Sequence, residues 1–269
     1  MSSYAVTGTS RGLGLEFVRQ LSQNPQNTVF AIARTPEAAT DLKALAEERA
    51  NVHIIKADVT DPNSLLAAAA AVSKITNGSL DVLINNAVTF NYASVGLTPS
   101  QIPVDEEATR EIFKSSIDSS LFGAIWTTNA FLPLIENGRG KKIIHLTTGM
   151  ADLLLIKGAG VAYTVDYSAG KGAMNVVVAK YAVELAPRGI KVGAISPGWV
   201  DTYEGPLPKS DMIIGFTQSM LESFQKIYPE LKGQIQKEDS VRMMLETIDN
   251  LTEEQSGLVI SHHGNQDWF

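Results

Sequence analysis

No cysteine occurs among the 269 residues, which excludes disulfides, thiolate metal sites and thiol nucleophiles. Histidine is scarce: His53, His145, His262 and His263 are too scattered to suggest a metal site. The adjacent pair His262-His263, if placed on a strand, would point to opposite faces. Basic residues are in deficit, 22 Lys and Arg against 29 Asp and Glu. The resulting net charge of −7 argues against nucleic acid or an anionic membrane as a partner. No apolar run approaches a membrane span of about 18 residues. The opening Met-Ser-Ser-Tyr-Ala-Val-Thr-Gly lacks the basic and apolar regions of a secretion signal. A cytoplasmic protein without membrane contact is the simplest expectation.

What is present is a 44% apolar composition, enough for a substantial core, arranged as short β-branched runs alternating with helical segments. Strands are predicted at residues 4–7, 28–33, 52–55, 80–84, 141–147, 190–195 and 257–261. Helices are predicted at 12–22, 36–49, 61–75 and 105–136, and from Tyr163 to about residue 186. This alternation implies an α/β fold with a parallel sheet covered by helices on both faces. No linker, repeat or low-complexity block interrupts it, so a single domain over residues 1–269 is expected. Such sheets bind ligands beyond the carboxyl ends of their strands, and Thr7, Asn85, Thr148 and Ser196 all fall at such ends.

Two stretches carry chemistry. Tyr167 and Lys171, four apart, share one face of a helix. An ammonium held close to a phenol favours its ionised form, which would lower its pKa from about 10 and make it a usable acid or base. On the first strand–helix turn lies Thr7-Gly8-Thr9-Ser10-Arg11-Gly12-Leu13-Gly14, with glycines spaced to let backbone approach a pyrophosphate at a helix N-terminus. The second strand ends Ala31-Ile32-Ala33-Arg34-Thr35, without the carboxylate that would hold a ribose 2′-hydroxyl. Arg34, with Arg11, suits a 2′-phosphate instead, favouring NADP(H) over NAD. Asp58 follows the third strand and is placed either to accept from an adenine amino group or to build the turn before Asp61-Pro62.

Taken together, Thr7-Gly8-x-x-x-Gly12-x-Gly14, Asp58, Asn85-Asn86-Ala87, Tyr167-x-x-x-Lys171 and Pro197-Gly198-Trp-Val-Asp-Thr202 resemble the short-chain dehydrogenase/reductase family over nearly the whole chain. The wording around residues 8–20 and Ala130-Phe-Leu-Pro-Leu134 is similar to its sniffer-like carbonyl reductase branch. The resemblance implies a Rossmann-type doubly wound sheet of seven parallel strands, bound NAD(P), and Tyr167 as proton donor. It implies that Lys171 holds the nicotinamide ribose and depresses the Tyr167 pKa. It places Gly8, Ser10, Arg11, Gly12, Leu13, Gly14, Arg34, Asp58, Val59, Asn86, Ala87, Tyr167, Lys171, Pro197, Gly198, Val200 and Thr202 around the cofactor.

The chain departs from the family pattern in several places. Where a serine usually ends the fifth strand it has His145-Leu146-Thr147-Thr148, and only one of the two threonines can face the substrate. Thr148 takes the serine's place, with a hydroxyl able to polarise a carbonyl. The stretch from Thr148 to Tyr167 is longer than usual, so residues 150–162 are expected to form an added loop over the pocket. Leu153-Leu-Leu-Ile156 would be either a substrate wall or local core. Ser120 stands where an asparagine usually supports a water-linked proton relay to the lysine, and Val88 replaces a glycine.

Residues 203–229, with Pro206, Pro208 and Met212-Ile-Ile-Gly-Phe216, read as a substrate lid. The helix after Lys171 is apolar almost all round, which points to a subunit contact and a homodimer or homotetramer. Trp268 and Phe269 look exposed, placed to pack on a neighbour or across the pocket. The leading expectation is an NADPH-dependent reductase of a small hydrophobic or aromatic carbonyl substrate, with Tyr167, Lys171, Thr148 and Ser120 as its catalytic set. Two alternatives stay open: an NADP-bound lyase, cyclase or isomerase using Tyr167 or Asp166, and a degenerate nucleotide-binding protein.

Overall fold

A computed structural model describes residues 2–202 and 211–269. Seven parallel strands form the central sheet: β1 (Ser3–Thr7), β2 (Thr28–Ala33), β3 (Val52–Lys56), β4 (Val82–Asn85), β5 (Lys142–Leu146), β6 (Lys191–Ser196) and β9 (Val259–Ser261). Their order is β3-β2-β1-β4-β5-β6-β9. Strands such as Thr28–Ala33 are apolar in nearly every position because both faces are covered. One face carries α1 (Gly12–Leu21), α2 (Thr40–Glu48) and α9 (Lys237–Asp249), which pack Phe17, Leu42 and Met244 on the sheet. The other carries α3 (Pro62–Thr76), α5 (Gly123–Asn137) and α7 (Val165–Leu185), which bring in Leu65, Phe131 and Val178. Fully burying each such side chain stabilises by roughly 1.5–3 kcal/mol.

The chain runs outward from β1 to β3, then returns to place β4 on the other side of β1. The crevice at this reversal, beyond Thr7 and Asn85, is the expected ligand site of a doubly wound sheet.

Local chemistry accounts for the boundaries. Helix α3 starts with Pro62 at its first position and Asp61 as N-cap, which accepts from the Asn63 amide at 3.0 Å. It stops at Asn77 and Gly78, both at positive φ. The helix expected over residues 36–49 is two pieces, a 3-10 turn Pro36–Ala38 and then α2, because Ala39 leaves helical geometry (ψ 74°) as its side chain enters the core. The long helix expected over 105–136 is α4 (Glu106–Ser116), a π turn Ile117–Phe122, and α5. The π turn inserts extra backbone and turns both Ser119 and Ser120 inward.

The added loop over residues 150–162 is instead a 3-10 turn Gly149–Ala151 followed by α6 (Leu153–Ala159), capped by Asp152. Leu153 and Leu154 face outward, while Leu155 is buried in a small local core with Met150, Ala159, Phe224 and Trp268, so the run serves local core in part and forms no continuous wall. Of the segment 203–229, expected to be a lid, residues 203–210 lie outside the described residues, and the rest opens with α8 (Asp211–Gln225). A small pair, β7 (Val200–Asp201) with β8 (Ile235–Gln236), sits apart from the main sheet.

Candidate active site

At the nucleotide end, β1 leads into a turn whose glycines serve close approach. A Cβ on Gly8 (φ 72°) would lie 2.8 Å from the Ala87 Cα, and one on Gly14 would lie 2.1 Å from the Gly8 carbonyl oxygen. Asn86 clasps this turn to the end of β4, its Nδ2 donating to the carbonyls of Thr7 (2.8 Å) and Gly8 (3.1 Å). The Thr7 hydroxyl accepts from the Asn86 and Ala87 amides, each at 3.0 Å. Helix α1 opens without a side-chain cap and without an acidic residue in its first turn. Its N-terminal amides and dipole therefore favour an anion there, which fits a pyrophosphate. Ser10 and Arg11 are exposed at the rim and Leu13 is half-buried. Arg34 is exposed as well, and neither Arg11 nor Arg34 makes an ion pair among the described residues.

Asp58 Oδ1 accepts from the amide (2.9 Å) and hydroxyl (2.7 Å) of Thr60, which is the turn-building one of its two expected roles. Val59 lies against Gly123, where a Cβ would come within 3.1 Å of the Val59 carbonyl oxygen. Val88 is exposed. On the far side of the crevice Gly198 takes φ 83°, and the His262 ring fills the space a Cβ would need. The Ser240 hydroxyl donates to the Pro197 carbonyl at 2.7 Å. Val200 lies on β7, and Thr202 is exposed at the edge of the described residues.

Between these halves stands α7, entered through Thr164 in the left-handed region (φ 56°), an unusual conformation for a β-branched residue. The Lys171 ammonium is buried and donates to the Leu146 carbonyl at 2.6 Å. Thr147 turns to α7, donating to Asn175 Oδ1 at 2.6 Å, so Thr148 is the threonine that meets Tyr167. Burial pushes the Tyr167 phenol up to about 12, and the Thr148 hydroxyl pulls it the other way. Burial likewise brings Lys171 down to about 8. This corrects the expectation that Lys171 depresses Tyr167: the ammonium is tied to a strand carbonyl, and desolvation dominates the phenol. Ser120 is fully buried and its hydroxyl finds no partner among the described residues. Asp166 is a clamp, accepting from Ser94 Oγ (3.1 Å) and Ser116 Oγ (2.8 Å).

Sequence pattern does not reveal several neighbours of this site. Phe90, in an irregular stretch, packs edge-on against Tyr167 with ring centroids 5.3 Å apart. Trp268 is buried and lies against Gly149, next to Thr148, while Phe269 packs at a tilt on Phe224 of α8, ring centroids 4.5 Å apart. The tail therefore packs on its own chain beside α8, and Trp268 is not exposed. His262 and His263 follow the end of β9 rather than continuing it, and their rings lie 3.9 Å apart instead of on opposite faces.

A Gly-rich turn at the reversal of a doubly wound parallel sheet, facing a Tyr–Lys helix, defines a Rossmann-type dinucleotide-binding fold. The profile described as short chain dehydrogenase matches residues 3–205. The chain belongs to the short-chain dehydrogenase/reductase family of oxidoreductases. It is 43% identical to the short-chain dehydrogenase/reductase atnB of Arthrinium sp. over 100% of both chains. Among solved structures it is similar to the NADPH-bound carbonyl reductase from chicken fatty liver, with 26% identity, TM-score 0.77 and 98% of each chain covered. Carbonyl reductase Sniffer of D. melanogaster shares the fold, at 24% identity and TM-score 0.78 over 98% of each chain.

Proposed function

We propose that the chain is an NADPH-dependent reductase of a ketone on a small hydrophobic or aromatic metabolite. The observation that carries this reading is the Thr148–Tyr167 pair at the end of β5, with Lys171 tied to the same strand behind it. Bound NADPH would supply the hydride to the carbonyl carbon. Tyr167, whose pKa is pushed up to about 12, keeps its proton at neutral pH and can deliver it to the carbonyl oxygen. Thr148 donates a hydrogen bond to that oxygen as its charge develops. Phe90 against Tyr167, and Tyr163 against Phe216 at 5.1 Å, give the surroundings an aromatic character suited to such a substrate.

The uncapped α1, and Arg11 and Arg34, which make no ion pair among the described residues, support a 2′-phosphorylated cofactor, and the solved carbonyl reductase from chicken fatty liver holds NADPH. Asp166, one of the two groups the non-redox alternative could use as acid or base, has both oxygens engaged, which leaves Tyr167 alone for that role. The chain is read as one domain with its lid over residues 203–229. Val176 and Val183, exposed on α7, suit pairing with a second copy, which sedimentation would detect. The deciding experiment follows NADPH absorbance during a screen of quinones, aryl ketones and polyketide-like carbonyls. Oxidation by at least one, lost in Tyr167→Phe, is expected. Binding of NADPH without oxidation by any of them would overturn the reductase reading.

A further inference from the structure

Asp166 is a buried carboxylate that the proposed reduction does not use. It lies in the first turn of α7, 2% exposed, where free backbone amides and the helix dipole favour an acidic group. Its two oxygens reach two different elements. Oδ2 accepts from the hydroxyl of Ser116, the last residue of α4, at 2.8 Å. Oδ1 accepts at 3.1 Å from the hydroxyl of Ser94, in the irregular stretch between β4 and the 3-10 turn Pro99–Gln101. Ser94 and Ser116 are themselves buried. Removing one partner of such a buried bond costs the full desolvation of the group left behind, so the three side chains stand or fall together.

The irregular stretch, residues 88–97, carries Phe90 against the Tyr167 ring. Tyr92, exposed, packs edge-on against Phe90 at 5.2 Å, so three aromatic rings lead from solvent to the phenol. Without a ladder or helix of its own, the stretch takes its shape from bonds to its neighbours. The Thr89 amide donates to Ser119 Oγ on the π turn at 2.9 Å, and Asn91 Nδ2 to the Ile112 carbonyl of α4 at 3.3 Å. The Val95 carbonyl accepts from the Thr164 amide, at the entrance to α7, at 3.1 Å. Ser94–Asp166 is the side-chain bond that ties the stretch to α7. Asp166 also seats α7 on α4 through Ser116. A Cβ on Gly170, one turn on, would lie 3.1 Å from the Ser116 carbonyl oxygen. Tyr167 is thus flanked, at 166 and 170, by two points of contact with Ser116.

We propose that Asp166 is a positioning residue: through Ser94 and Ser116 it fixes the 88–97 stretch, and with it Phe90, against the Tyr167 turn of α7, and so sets the aromatic wall beside which the ketone binds. The clamp stands by itself; its effect on the ketone rests on the reductase reading above. Its reach is confined to the substrate side. The Gly-rich turn that would hold the cofactor is fastened separately, by Asn86 and Thr7. Loosening the clamp therefore acts on the ketone and spares NADPH.

The test uses Ser94→Ala, which cuts the bond to the stretch and spares the Ser116 seat, together with Asp166→Leu and Asp166→Asn. In Asp166→Asn the amide oxygen can accept from Ser116 while its nitrogen donates to Ser94 Oγ, whose proton turns to the Asn91 carbonyl, 3.1 Å away. Hydrogen exchange over residues 88–97 and the kinetics of NADPH oxidation by a ketone from the screen above are measured on the full chain. In Ser94→Ala and Asp166→Leu, exchange of the stretch is expected to quicken by about 10-fold and KM for the ketone to rise by about 3–10-fold. KM for NADPH should stay within about twofold of the parent's, a split that general loss of packing would not give. Asp166→Asn is expected to restore both exchange and KM. Ser94→Ala should add nothing further to Asp166→Leu, because the bond is already lost. Unchanged exchange in Ser94→Ala, or losses that add in the double variant, would overturn the clamp. Faster exchange with KM for the ketone unmoved, or with KM raised alike for ketone and NADPH, would reduce Asp166 to packing and overturn its positioning role. Should no ketone be turned over, the reductase reading falls, while the exchange comparison still decides the clamp.

Discussion

The Lys171 ammonium donates to the Leu146 carbonyl at 2.6 Å, a bond that ties the N-terminal part of α7 to the last residue of β5. Thr148 lies two residues beyond Leu146 and Tyr167 one turn before Lys171, so this bond sets the spacing of the proposed hydroxyl pair. Burial lowers the Lys171 pKa to about 8. If the charged amine is the working form, kcat is expected to be level at neutral pH and to fall as pH rises through about 8. Lys171→Met should remove this dependence and lower kcat at every pH. A profile flat to pH 10 in the parent protein would show that the ammonium does not control turnover.

Tyr167 and Thr148 are separable. Tyr167→Phe removes the proposed donor and should lower kcat by about 10²–10⁴, with circular dichroism unchanged. Thr148→Val keeps the shape and deletes the hydroxyl, at an expected cost of about 10²–10³ in kcat. Thr148→Ser should stay within a few-fold of the parent. Equal loss in Thr148→Ser and Thr148→Val would mean that the methyl, not the hydroxyl, matters.

Arg34 directly follows β2, exposed and without an ion pair among the described residues. Charge-assisted bonds of this type contribute about 1.5–3 kcal/mol. Arg34→Ala should therefore lower kcat/KM for NADPH by roughly 10–100-fold and leave the value for NADH nearly unchanged. A parallel fall for both cofactors would refute a 2′-phosphate contact.

Two buried histidines make stability depend on acid. His145 is brought down to about 3 and His262 to about 4, in both cases chiefly by burial. A folded pKa below the unfolded value of about 6.5 means that the unfolded chain binds more protons between the two values. Their contribution is thus complete above pH about 6.5 and is lost progressively as pH falls towards 3–4. Urea unfolding between pH 7 and 4 should show stability falling by up to about 1.4 kcal/mol per pH unit for each histidine. In His145→Asn that slope should be shallower by one histidine's share.

Much of the fold is legible in the residues alone. Strand runs such as Thr28–Ala33 announce themselves through continuous apolar character, and the Gly-rich turn and Tyr–Lys spacing follow from local geometry. What stays hidden depends on tertiary placement. The π turn leaves no trace in the periodicity of residues 106–137, yet it brings Ser120 inward. The direction of the Tyr167 shift does not follow from its spacing to Lys171, because burial by residues far off in the chain governs the phenol, while the Leu146 carbonyl engages the ammonium. Phe90 gives no signal, since an irregular stretch has no period from which to infer a face. Trp268 looks exposed in the sequence for the same reason: a tail acquires burial only from what it folds against.

That tail offers a last test. A Cβ on Gly149 would come within 3.3 Å of the Trp268 ring, so the indole presses on backbone adjoining Thr148. Phe269 instead packs against Phe224 of α8 and, at 5.1 Å, against Tyr228. The two residues should therefore fail differently. Trp268→Ala opens a cavity under the β5 end, with an expected stability loss of about 3–5 kcal/mol and a fall in kcat as Thr148 loses its support. Phe269→Ala loosens α8 and should mainly raise KM for the ketone. NADPH affinity, set across the crevice at the Gly-rich turn, should be nearly unchanged in Phe269→Ala. If both variants altered kcat and KM in the same proportion, the tail would be acting as general core, with no division of labour between its two rings.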